Sequence, residues 1–376
     1  MDLIEIVLIV LLLVAAGSVG WFVVLELKRR RVQSLENLVL FQVLMPKDIP
    51  SAADPQDEQR KDFREQIAVG EQLFAALAGT YRRGLAGWFQ GQPRFSFELI
   101  AKGGKILFYV GAPRQYRDYV EKQIQGFYPD AHLEPNDGFV TFAEELHTTA
   151  VVLRQEKQYF LPFKTYKTAE SEPLNGITNA MEKLGEHARA SIQILVEPRS
   201  DRWRVRAAQA ARAVAEGRPI LTETSIFGKA LYTVSSLFHA VSRNTGEHTS
   251  TSNAHLYRTP IQEQLMKLMQ EKASKVGFWA QVRIATMAEQ EVEAESALAN
   301  LVQSFAQYTL GEGNKFHELS SIGRERLATA IALREFVGPR SLMNTEELAS
   351  LYHFPNFHIE TPTIMWLPAK ILPPPV

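Results

Sequence analysis

The densest set of chemically capable side chains in this sequence is basic. Arg199, Arg202, Arg204, Arg206, Arg212 and Arg218 crowd one stretch around Trp203. On a helix, Arg202 and Arg206 stand one turn apart and share a face, and Arg204 and Arg212 lie near another. Such a row suits the phosphates of nucleic acid or the headgroups of anionic lipid, with Trp203 as a stacking or interfacial ring. The contact residues expected on this reading are Arg199, Arg202, Trp203 and Arg206. The plainer reading is a solvated helix face over a floor of Ala207, Ala208, Ala210 and Ala211.

Other chemistry is sparse. Glu144, Glu145 and His147 offer acid and base groups, but adjacent polar residues between strands read as a solvated turn. His353 and His358 flank FPNF at a spacing that helical metal pairs do not use, and they read as ordinary surface or loop histidines. Gly103-Gly104-Lys105 and Gly228-Lys229 lack the residues of a phosphate loop, and Gly311-Glu312-Gly313 lacks the third glycine of a dinucleotide fingerprint. No G-x-S-x-G or H-E-x-x-H run occurs. There are no cysteines, which removes thiolate nucleophiles, disulfides and Cys-ligated zinc. No catalytic residue, cofactor, metal or small-molecule substrate is expected.

The chain that must position these groups has 376 residues, 45% hydrophobic and 22% charged, a globular balance. Its formal net charge of -1 argues against a wholesale polyanion binder and leaves room for a local basic patch. Leu3 to Leu25 is apolar with Glu5 its only charge, long enough to read as a membrane span. Lys28, Arg29, Arg30 and Arg31 follow it, and no Lys or Arg precedes it. By the positive-inside rule the N-terminus lies outside and the rest in the cytoplasm, with those four side chains at the membrane surface.

The expected fold class is α+β: an N-terminal transmembrane helix, a ferredoxin-like (split βαβ) antiparallel sheet domain, and a second smaller α+β unit. The units are an anchor with basic flank at 1–31, a linker at 32–59, a helix plus ferredoxin-like domain at 60–217, an insertion at 218–259, a second α+β unit at 260–340, and a short helix with Pro-rich tail at 341–376. Leu35 to Met45 reads as a strand or a short helix, and Arg60 to Tyr81 as an amphipathic helix. Arg94 to Ala101 and Lys105 to Gly111 read as a hairpin about Gly103-Gly104. A helix follows at Pro113 to Gln125, with extended runs at Ala131 to Glu134, Phe139 to Phe142 and Thr148 to Arg154. Pro173 to Leu184 is a helix and Ala190 to Glu197 a strand, so the ferredoxin-like order is counted from Lys105. Beyond the insertion, Gly277 to Met287 reads as a strand between two helices. Its strand–helix–strand core echoes the first unit without establishing a repeat.

Several segments resemble a known family. Phe95-Ser-Phe-Glu98 with KILFYVGAPRQYRDYVEKQIQGFYPDA, Pro173 to Leu184, Ala190 to Pro198, Glu271 to Phe278, Thr345-Glu-Glu-Leu-Ala349 and His353-Phe-Pro355 look like the N-terminal region of TraG/VirD-like type IV secretion coupling ATPases of candidate-phylum bacteria. The resemblance covers most of residues 60–370. It implies a membrane-anchored, non-catalytic module at the bacterial inner membrane, a homo-oligomer that positions a RecA-like motor for DNA or protein translocation. The motor's Walker residues have no counterpart in this sequence. The alternative is a free-standing single-pass scaffold that binds nucleic acid or anionic lipid through the basic helix.

Overall fold

The computed structural model describes residues 38–47, 62–136, 145–185, 187–215, 260–319 and 322–368, with 17, 18, 20 and 21 near the N-terminus. Alternating strand residues whose two faces are both apolar need cover on both sides. The strands are β1 (Leu38–Leu44), β2 (Phe95–Lys102), β3 (Lys105–Pro113), β4 (His132–Pro135), β5 (His147–Gln155), β6 (Arg189–Pro198), β7 (Gly277–Ala288), β8 (Phe316–Leu319) and β9 (Ser341–Asn344). They form a single nine-stranded sheet in the order β4-β1-β3-β2-β6-β7-β5-β8, with β9 also on β7. Every pairing is antiparallel.

That order contains one motif twice. The helices that matter are α1 (Phe63–Ala78), α2 (Gly84–Gln90), α3 (Arg117–Phe127), α4 (Pro173–Glu182), α5 (Arg202–Ala215), α6 (Pro260–Ser274), α7 (Glu291–Ser304), α8 (Arg324–Ala332) and α9 (Thr345–Leu351). The first repeat runs β1-α1-β2-β3-α3-β4 and its strands lie side by side as β4-β1-β3-β2. The second runs β5-α4-β6-β7-α7-β8 and lies as β8-β5-β7-β6. Each is a split βαβ unit, and the two join edge to edge where β2 pairs with β6, from Phe95–Val196 to Ala101–Ala190. The pairing is centred on Glu98 opposite Gln193, which places a pseudo-twofold axis there.

The repeats differ most at one hairpin. In the first, Gly103 and Gly104 alone connect β2 to β3, both with positive φ (58° and 67°), as a two-residue hairpin of this twist requires. In the second, residues 199–276 stand between β6 and β7 and carry α5 and α6.

Helices α1, α3, α4 and α7 cover one face. Ile67, Leu73, Phe74 and Leu77 of α1, Val120 and Ile124 of α3, Leu174, Ile177 and Met181 of α4, and Leu301 of α7 share a core with Phe97, Leu99, Phe108, Ile192, Ile194 and Val282. On the other face Leu327, Ala330 and Ile331 of α8, with Val337, pack on Val152 and Ala285. Helix α9 belongs to the first face. Asn344 and Glu347 form a capping box that starts it, and it is buried along its length except for half-buried Glu346. It rests against α1, where Gly70 leaves so little room that an added Cβ would lie 3.2 Å from the Cβ of His353. The chain then returns to the first repeat, where Ile106 donates to Thr363 and Leu367 donates to Met45.

Two expectations are corrected. The ferredoxin-like order counted from Lys105 straddles the boundary between repeats. The frames begin at β1 and β5, and the second α+β unit is not separate, because β7 lies between β6 and β5 in the same sheet. The transmembrane helix is also withdrawn from the fold: among the described residues no helix is long and apolar enough to cross a membrane. The longest of them, α1, has 16 residues and so spans about 24 Å against roughly 30 Å of hydrocarbon, and it carries Arg64, Glu65 and Glu71. Most of Leu3 to Leu25, and all of Lys28 to Arg31, lie outside the described residues, as do Phe139 to Phe142 and Thr222 to Arg258.

A continuous sheet should unfold as a unit. Phe97 is fully buried, with its ring 4.6 Å from Phe74 and 5.1 Å from Tyr352. Phe97→Ala should therefore cost about 3–5 kcal/mol. Guanidinium unfolding followed by circular dichroism and by tryptophan emission should give one coincident transition in parent and variant. Two separated transitions would show that the repeats fold independently.

Candidate functional site

A row of polar side chains crosses the junction of the repeats, with Glu98, Gln193 and Arg283 closed off from solvent. Across the sheet, Glu134 faces Gln42, Gln42 faces Tyr109, Tyr109 faces Glu98, Glu98 faces Gln193, and Gln193 faces Arg283. This row lies on the face opposite α1, α3, α4 and α7, since Phe97 and Leu99 flank Glu98 and point the other way. A buried carboxylate requires partners. Glu98 accepts from Gln193 Nε2 at 3.0 Å and from Arg334 Nε and Nη2 at 2.7 and 3.3 Å, a two-pronged pair. Arg283 donates to Gln193 Oε1 and to the Glu335 carbonyl. Burial pushes the Arg283 guanidinium down to about 9, with neighbouring Arg94 and Arg334 adding to the shift and Glu98 opposing it.

The arginine that closes this network is held in an unusual backbone. Arg334 has φ 53°, the only described non-glycine residue with positive φ. It stands just past the end of α8, where Arg334 N–H reaches Ile331 O and Glu335 N–H reaches Ala330 O, a Schellman termination that normally takes glycine. A side chain there costs about 1–2 kcal/mol, which the pair with Glu98 offsets. Downstream, Gln281 Nε2 donates to the Val337 and Pro339 carbonyls, Arg94 donates to Arg334 O, and the Arg340 guanidinium lies 4.4 Å from the Phe336 ring centroid. Residues 332–340 thus form a strap over the junction strands.

On the helix side a second set of ion pairs ties α9 in place. Lys272 is fully buried, and its Nζ reaches Glu347 at 3.0 Å and the Leu161 and Leu342 carbonyls at 3.1 Å each. Burial pushes Lys272 down while Glu347 opposes the shift. Lys275 joins Glu71 of α1 to Glu346 of α9, and Lys167 meets Glu346 at 2.9 Å. His353 places Nε2 2.7 Å from Glu172 and Nδ1 2.8 Å from the Ala349 carbonyl. Both neighbours accept, so the ring is satisfied when both nitrogens donate. For Glu172, burial works against ionisation, but the charge and hydrogen bond of His353, with Asn356 and the Leu174 N–H, outweigh it and hold the carboxyl below its usual range. His353 is therefore not the surface histidine its sequence suggests. It is 2% exposed.

The basic row is divided by the fold. Trp203 is buried with Ala207, Ala211, Met269, Phe160 and Leu161 between α5, α6 and the sheet, so it stacks on no exposed partner. Arg204 donates to the Ala273 and Ser274 carbonyls at the end of α6. Arg199 places its guanidinium 5.1 Å from the Trp279 ring. Arg202, Arg206 and Arg212 are exposed, and Arg218 lies outside the described residues. His147 and Glu145 are exposed, while Glu144 lies outside. Among the described residues no group of three or more His, Cys, Asp or Glu side chains is placed to hold a metal. A shallow cleft between α4 and α7 is lined by Asn179, Asn300, Gln303 and small residues, with Lys183 and Glu293 of opposite charge.

A family described as a domain of unknown function, DUF8128, matches residues 60–367. The chain belongs to this family. The match begins just before α1 and closes on Leu367, whose N–H donates to Met45, so it takes in the strap, α9 and both halves of the β2–β6 junction. No curated protein is detectably similar to the chain. Glu98, Gln193, Arg283 and Arg334 escaped the reading of the sequence. The available signal was a recurring polar phase, Ser96 and Glu98 in β2, Ser191, Gln193 and Glu197 in β6, and Gln281 and Arg283 in β7, alternating with a largely apolar one.

Two outcomes follow from these pairs. Arg334→Gly removes the backbone strain but strands Glu98, so it should lose about 1–4 kcal/mol net, the usual 3–5 for breaking a buried pair less the strain relieved; a stabilised variant would refute the network. Glu172 has a lowered folded pKa, so its contribution is complete above the unfolded value of about 4.5 and lost as pH falls through the folded value. The Tm difference between parent and Glu172→Gln should shrink as pH falls below about 4.5. A difference that grows on acidification would contradict the assignment.

Proposed function

We propose that the chain is a non-catalytic assembly module of a DNA- or protein-translocation system of the type IV secretion kind, holding a RecA-like motor ATPase in place. The observation that carries this reading is where the family-like segments sit. Phe95 to Glu98 and Ala190 to Pro198 are the two junction strands β2 and β6. Glu271 to Phe278 supplies Lys272 and Lys275, Thr345 to Ala349 is α9, Pro173 to Leu184 contains α4, and His353 closes on Glu172. The segments on which the resemblance rests thus include residues that weld two repeats into a platform. Their acids and bases are engaged with one another.

Helix α9 and Glu346 are inside the helix layer, so on this proposal the motor would meet the outward sides of the helices. Co-expression of the chain with the RecA-like ATPase of the same genome, followed by crosslinking and size analysis, should give an oligomer that contains both proteins. A monomer that retains no ATPase would count against the proposal.

A further inference from the structure

We propose that the outward face of α5 is a contact surface for the phosphate backbone of nucleic acid, engaged through charge and not through base sequence. This surface is independent of the ATPase reading and lies where the two repeats diverge. The turn between the second and third strands of a split βαβ unit needs two residues, as Gly103 and Gly104 show, yet the second repeat places residues 199–276 there. The hairpin itself does not require α5 and α6: α6 and the residue just past it supply Lys272 and Lys275 to the ion pairs of α9, and α5 packs its inner side on α6.

The inner side of α5 is committed to packing. Trp203, Ala207 and Ala211 lie against Met269, and a Cβ added at Gly277 would fall 2.5 Å from the Trp203 indole nitrogen. Arg204 is engaged with the α6 carbonyls and lies 3.6 Å from Asp201. The outer side carries Arg202, Arg206 and Arg212, all exposed, with Gln209 and Val205 between them. From Arg202 to Ala215 there is no acidic residue. In a chain of net charge -1 this is a local excess of positive charge, not a share of a general one.

The chemistry favours nucleic acid over a bilayer. A helix that binds a lipid surface buries a bulky apolar face in it, and the apolar face of α5 is used against α6. Among its described side chains the bulky apolar one facing outward is Val205, 61% exposed. Guanidinium groups spaced along a helix instead pair with successive phosphates and release the counterions condensed on them. With Trp203 inside, base stacking is absent, which makes the contact tolerant of sequence.

The test uses the full chain and a fluorescein-labelled 20-nucleotide single strand, read by anisotropy from low to moderate salt. The parent should bind, and affinity should fall with added salt. The variant Arg202→Gln/Arg206→Gln/Arg212→Gln should bind at least tenfold more weakly, with a log–log salt slope reduced by about 2, near 0.7 for each phosphate no longer neutralised. The three Lys replacements should keep most of the binding. Arg206→Gln alone, with about a third of the effect, serves if the triple variant is destabilised. A parent that ignores the oligonucleotide, a triple variant that binds as the parent does, or a parent that binds phosphatidylglycerol vesicles and not the oligonucleotide would each overturn the proposal. ATPase co-purification with the triple variant reports separately on the assembly reading.

Discussion

β2 and β6 are each the edge of their own repeat, and an edge strand with apolar side chains on its helix side and no partner invites aggregation. Pairing them from Phe95–Val196 to Ala101–Ala190 removes both edges and makes one sheet. The rest of the structure follows from having to cover that junction on two faces. On the helix side the seam between the helix pairs is filled by α9 and Tyr352, whose hydroxyl donates to the Tyr109 carbonyl. On the other side it is covered by the strap, where Arg334 accepts a left-handed backbone in order to reach Glu98.

Both covers come from one piece of chain. Helix α8, the strap, β9 and α9 are consecutive from Arg324 to Leu351, so this segment begins on one face of the sheet and ends on the other. It can pass because β7 is shared along its length: β5 pairs with it from Val282 to Ala288, and β9 pairs with it from Gly277 to Ala280. The buried pairs on the two faces are therefore mechanically linked. Removing one partner of such a pair leaves an uncompensated charge in a low-dielectric interior, which is why these groups read as fasteners and not as reagents.

Local elements were largely legible in the sequence because their signals are local. The Gly103-Gly104 hairpin, the Pro at the start of α4 and the alternation of Ala190 to Glu197 all specify their own conformation. Which strands pair is not local. The repeat frame was misplaced because the strand–helix–strand pattern of a split βαβ unit looks the same when read from β3 as from β1. The roles of Glu98 and His353 were illegible for a related reason. A lone charge in a strand or a loop looks solvated until a segment more than 150 residues away covers it, as Arg334 covers Glu98 and His353 meets Glu172.

Native-state hydrogen exchange resolved by strand tests the central claim most directly. If the β2–β6 junction is what makes the two repeats one body, the amides of β2 and β6 open only by global unfolding, and the outer strands β4 and β8 exchange earlier. If β2 and β6 exchange as early as β4 and β8, the repeats separate under native conditions, and the account of the strap and α9 as fasteners of a single platform is wrong.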